Sequence, residues 1–202
     1  MSTASPYPVS VEGELDPDFS RWLWLVKWFL AIPHFIVLAV LWVIFYILTV
    51  LAFFAILFTG RYPRGIFDFN VGVLRWTLRV SYYTHDALGT DRYPPFSLGK
   101  ADYPATLEIE YPERLSRGLV LVKWLLAIPH LLVVITFHGG LPHRYGGLNG
   151  LLVLFAGLAL LFTGRYPKEI FELVLGINRW AHRVAAYFFL MRDEYPPFRL
   201  GP

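Results

Sequence analysis

The chain has 202 residues, of which 56% are apolar and only 16% charged, with mean hydropathy +0.48 and net charge +3. Soluble domains run nearer about 45–50% apolar and about 25% charged, so disorder is excluded and an integral membrane protein is expected. The absence of cysteine excludes disulfides, Cys-ligated zinc, iron–sulfur clusters and a thiol nucleophile. The mild basicity suits anionic lipid better than nucleic acid.

Taken in chain order, YPVSVEGE from Tyr7 alternates apolar and polar residues and predicts a short strand. The first twenty residues hold Glu12, Glu14, Asp16 and Asp18 and no Lys or Arg, unlike the basic start of a signal peptide. Residues 22–59 then form an almost unbroken apolar run of 38 residues. As one helix it would be about 57 Å long, against a hydrocarbon core of about 30 Å. Two spans, 22–41 and 43–59, with a tight turn around Trp42, are expected. The alternative is an interfacial segment over 22–32 and one longer span after Pro33.

The run stops at LFTGRYP, residues 57–63, because Gly ends a helix and Pro cannot continue it. A third helix is predicted over 65–85. Asp68, Arg75 and Arg79 share one of its faces, which reads as an amphipathic helix in the membrane interface or as a third span with buried charge. Tyr93-Pro94-Pro95-Phe96 then reads as an extended strap packed on its own repeat.

The second half restates the first. LVKWFLAIPH at 25–34 returns as LVKWLLAIPH at 121–130, and LFTGRYP returns at 161–167. The third helix recurs over 169–190 with Glu172, Arg179 and Arg183, YPPF recurs from Tyr195, and the opening strand recurs as YPATLEIE from Tyr103. Two membrane repeats, 7–102 and 103–202, follow. The spacing between shared motifs grows by eight residues in the second copy, and the polar stretch 138–150 is the evident insertion. Spans over 118–137 and 151–163 are expected on either side of it.

LAIPH, FTGRYP with the following R-W-x-x-R helix, and YPPF together resemble an uncharacterised bacterial integral-membrane family, domain of unknown function 4389, present as two tandem copies. The resemblance implies an integral membrane protein. It brings no activity and no functional residues.

The fold expected is all-α and polytopic: two tandem helical hairpins, with interfacial amphipathic helices and short cytoplasmic strands. The strands of the two copies are placed to pair with each other. Four spans leave Arg144 as the one basic residue of 18 on the far side. By the positive-inside rule, both termini are then cytoplasmic in a cell inner or plasma membrane.

His34 and His130 are the intramembrane polar candidates. They read as structural partners of freed carbonyls, or as ligands of a haem or a proton path. Arg61, Arg165, Arg75, Arg79, Arg179 and Arg183 are the candidates for anionic lipid headgroups. His138 and His143, without a carboxylate, make no metal site, and no catalytic constellation, cofactor or metal is predicted. The function expected is a non-catalytic scaffold or accessory subunit that binds membrane lipid, with a membrane-protein partner or as a homo-oligomer. The alternatives are an oligomeric small-solute or ion transporter and a haem-binding redox protein.

Overall fold

The computed structural model describes residues 7–138 and 147–201. The chain opens with strand β1 (Val9–Gly13) and a 3-10 turn (Leu23–Leu25), followed by α1 (Lys27–Leu30), α2 (Ile32–Thr59) and α3 (Arg64–Tyr83). The second copy gives β2 (Ala105–Ile109), α4 (Leu119–Leu126), α5 (Ile128–His138), α6 (Gly147–Thr163) and α7 (Lys168–Phe188). The protein is mostly helical, as expected, with one two-stranded sheet.

The turn expected at Trp42 is absent. α2 runs through it as one helix of 28 residues, because nothing between Pro33 and Gly60 breaks a helix. Pro33 lies in the first turn of α2, where its missing N–H costs nothing, and Gly60 closes the helix at φ 71°, a left-handed conformation open to glycine. The separate spans 22–41 and 43–59 are therefore replaced by the alternative, a short segment followed by one long helix after Pro33. α2 is the one described helix long and apolar enough to cross a membrane by itself. α4 and α5 meet that test only together, bent by 43°.

The hairpin lies elsewhere. α3 turns back at Gly60–Pro63 and runs antiparallel along α2. Phe35 neighbours His85, the Trp42 indole donates to the Thr77 hydroxyl at 3.2 Å, and Asn70 donates to the Thr49 hydroxyl at 3.2 Å. These pairs hold one register along α2 from Phe35 to Thr49. α3 and α7 are sandwiched between other elements of the chain, with 13 of 20 residues buried in α3 and 11 of 21 in α7. Their polar faces meet the strands and straps, and their apolar faces meet the long helices.

The strands pair antiparallel, with Val11 opposite Leu107. Those two residues occupy the same place in the two repeats, so a pseudo-twofold axis passes between them. One isolated strand pair is marginal. This one rests on helices, and crosswise: β1 packs against α7 and β2 against α3. The stretches 7–102 and 103–202 are thus repeats of sequence that exchange strands, and the main apolar cluster among the described residues draws on both.

Candidate functional site

Three constructions recur in both repeats. The first surrounds the histidines. His34 lies in the first turn of α2, fully buried, and stacks on Phe96 with ring centres 3.8 Å apart. The Trp76 indole donates to its Nδ1 at 3.0 Å. An indole only donates, so Nδ1 is the unprotonated nitrogen and the ring hydrogen sits on Nε2. Nε2 is buried without a hydrogen-bond partner among the described residues. His130 repeats this with Phe198 at 3.8 Å and Trp180 at 3.1 Å. The Tyr93 and Tyr195 hydroxyls donate to the Leu30 and Leu126 carbonyls at 2.9 and 3.2 Å. YPPF is thus a strap that closes an aromatic cage over a neutral histidine. Each histidine sits in the cage of its own repeat, and the contacts described for one do not include the other.

The second construction is a buried ammonium. Lys27 and Lys123 are each 1% exposed. Lys27 Nζ donates to the Thr90 carbonyl at 2.7 Å and pairs with Asp91 at 2.7 Å. Lys123 uses the Arg192 carbonyl at 2.7 Å and Asp193 at 2.6 Å. The second oxygen of each aspartate accepts a backbone N–H, from Ser20 or Ser116, at 2.6 Å. Tyr83 and Tyr187 lie under the two ammonium groups at 5.1 and 5.3 Å. Sequence reasoning did not single these residues out. The available signal was a lysine kept inside the apolar LVKW of both copies, with an aspartate two residues before each YPP.

The third construction is the arginine clamp. Arg75 Nε donates to the Leu107 carbonyl at 3.1 Å, and Arg179 Nε to the Val11 carbonyl at 3.0 Å. Each helix therefore grips the strand of the other repeat at the pseudo-twofold. Arg79 holds the Ser97 and Gly99 carbonyls at 2.7 and 3.1 Å, and Arg183 holds those of Arg199 and Gly201 at 3.3 and 2.7 Å. These four arginines spend donors inside the fold. Asp68 pairs with Arg64, not with Arg75 or Arg79. Burial pushes the Tyr62 phenol up to about 12 and also raises Tyr103 and Tyr166, so these hydroxyls remain neutral; Tyr62 accepts from the Asn70 amide at 3.0 Å. Tyr103 reaches the Arg92 carbonyl at 3.1 Å.

Arg61 and Arg165 differ from the other four. Both are exposed just beyond the glycines that end α2 and α6. Their backbone N–H groups are fixed by Thr59 and Thr163 at 3.2 Å, and their guanidinium groups make no hydrogen bond among the described residues. His143 and Arg144 fall outside the described residues. Among those described, no group of three His, Asp or Glu is placed to hold a metal ion.

No curated protein and no solved structure matches the chain. The family model described as "Domain of unknown function (DUF4389)" matches residues 21–97 and again residues 118–199. The histidine cages, buried lysines and α-helical clamp arginines all lie inside those two segments, and both strands lie outside them. The chain belongs to the DUF4389 family, with two copies of the family's domain in tandem.

Proposed function

We propose that the protein is a membrane-bound, non-catalytic module, a scaffold or accessory subunit of the cell membrane, with anionic headgroups held at Arg61 and Arg165. One observation carries this reading. In its most apolar 18-residue stretch, α2 is only 17% buried. A core helix of a soluble protein would be covered, whereas here Val40, Ile47, Phe54 and Phe58 are 59, 57, 49 and 72% exposed. An apolar surface of that kind needs hydrocarbon or a partner to cover it. Trp22, Trp28 and Trp124, more than half exposed, supply the amphipathic rings found at bilayer boundaries. The recurring polar constructions bind the fold to itself, which favours a structural role over a catalytic one.

The full chain, expressed and fractionated, should stay in the membrane pellet through alkaline carbonate and high salt and leave it only with detergent. Recovery as a monodisperse protein without detergent would overturn the membrane reading. Replacing Arg61 and Arg165 together by Ala should lower co-purified anionic phospholipid without loss of folding, since each basic residue near an anionic surface contributes about 1 kcal/mol. Unchanged lipid in a folded double variant would remove the headgroup role.

A further inference from the structure

A helix of 28 residues is about 42 Å long, enough to cross a bilayer. Its neighbours argue for a different direction. α3, 20 residues long, runs antiparallel along α2, and the bond from Trp42 to Thr77 joins the two helices close to the middle of each. On the far side of α3, at this same level, Arg75 reaches Glu108 at 3.5 Å and Glu108 pairs with Lys100 at 2.9 Å. The Glu108 and Lys100 side chains are 46% and 75% exposed. The Arg92–Asp102 pair, close by through Tyr103, is 51% and 97% exposed.

If α2 ran across the membrane, these charges would stand near its midplane, where hydrocarbon excludes them. The irregular backbone of 95–104 would be there as well, and lipid tolerates no such exposed backbone.

Turning the long helix through a right angle removes every conflict. The molecule then has an apolar layer of α2 and α4–α6, a middle layer of α3 and α7, and a charged layer of strands and straps. The apolar layer is continuous across the repeats: an apolar groove of about 460 Å³ runs between α2 and α4, lined by Tyr46, Val50, Phe53, Val120 and Trp124. Resting on the membrane reading above, we propose that the protein binds a phospholipid bilayer from one side only, with α2 lying in the membrane plane among the acyl chains of one leaflet and the strand pair facing water.

The chain has no cysteine, so single labels are unambiguous. Ile36, Ile47 and Phe58 are spaced by 11 residues and therefore share one helical face, and all three are exposed. The full chain, with Cys at each in turn and a nitroxide attached, is reconstituted into phosphatidylcholine–phosphatidylglycerol vesicles. Depth is read from relaxation by oxygen against a water-soluble nickel chelate. The expected result is the same depth at all three sites, with a label at Lys100 in water. Ile47 deeper than both other sites by about 10 Å or more, against the ~16 Å that 11 helical residues span, would mean a crossing helix and overturn the proposal while leaving the membrane reading intact. A Lys100 label shielded from the nickel chelate would overturn it too. Three labels all in water would defeat the membrane reading itself.

Discussion

The two repeats share their motifs but treat the long helix differently. In the first, α2 has 28 residues without a break; in the second, α5 and α6 have 11 and 17, together the same number, separated by eight residues. The insertion is 139–146, and it falls between the counterparts of Trp42 and Val43. The partners on either side have drifted as well. Trp42 with Thr77 becomes His138 with Ala181, and the Thr49–Asn70–Tyr62 network becomes Val153, Val174 and a Tyr166 that donates to the Ala87 carbonyl at 2.6 Å. The cages, buried lysines and clamps keep their geometry to within about 0.3 Å at most of their bonds. Contacts that join helix, strand and strap tolerate little change because each satisfies a buried polar group, whereas the outer helix needs only to be apolar and helical.

The largest effect is expected where the repeats agree most. Asp91→Ala leaves the Lys27 ammonium buried with one carbonyl partner, and Asp193→Ala does the same to Lys123. Breaking a buried pair in this way costs about 3 kcal/mol. Denaturant unfolding in mild detergent should show similar losses for the two variants, and a loss below about 1 kcal/mol in either would show that the pair does not hold its repeat.

A smaller effect is expected where the straps press on glycines. A Cβ on Gly72 would stand 2.8 Å from Leu98 Cβ, and one on Gly176 would stand 2.9 Å from Leu200 Cβ. Gly72→Ala and Gly176→Ala should each destabilise by about 1–3 kcal/mol through overpacking. Gly65, in the same helix as Gly72 with nothing within 4 Å, is the control: Gly65→Ala should stabilise by up to about 1 kcal/mol from helix propensity. Thermal unfolding of the three variants compares them, and equal behaviour at Gly65 and Gly72 would contradict the strap packing.

The smallest effect is expected where the repeats differ. Deleting 139–146 should fuse α5 to α6 and make the second repeat resemble the first, with helicity by circular dichroism retained or raised and stability changed by less than about 1 kcal/mol, since closing a loop is cheap at this length. Failure of the deletion variant to fold would show that α5 and α6 are not two halves of one helix.

The sequence alone was enough to read the duplication, the short strands, the glycine stops and the third helices, all from local pattern. Periodicity and repeated motifs survive without knowledge of the partner, and the pairing of the strands follows once two equivalent copies are recognised. The family followed from the same repeated motifs. The break at Trp42 was inferred from length against a bilayer, a constraint that binds only a helix that crosses. Residues 32–59 contain nothing that stops a helix, and the chain stays helical. The insertion is legible in the second copy because Gly, Pro and Arg144 interrupt the apolar run there; α5 ends at His138 and α6 begins at Gly147, and the residues between them lie outside those described.

The arginines were legible as a shared helical face, but not as clamps. Helical spacing says which way a side chain points, whereas only the packed fold says whether a headgroup or the carbonyl of a crossed strand waits there. The lysines were hidden for the opposite reason: one charge inside an apolar run looks like an interruption until Asp91 or Asp193, about 65–70 residues away, arrives to neutralise it. Tertiary structure alone decided the exchange of strands between repeats and the burial of α3 and α7, because both depend on contacts between segments far apart in the chain, for which neither repeat by itself supplies a surface.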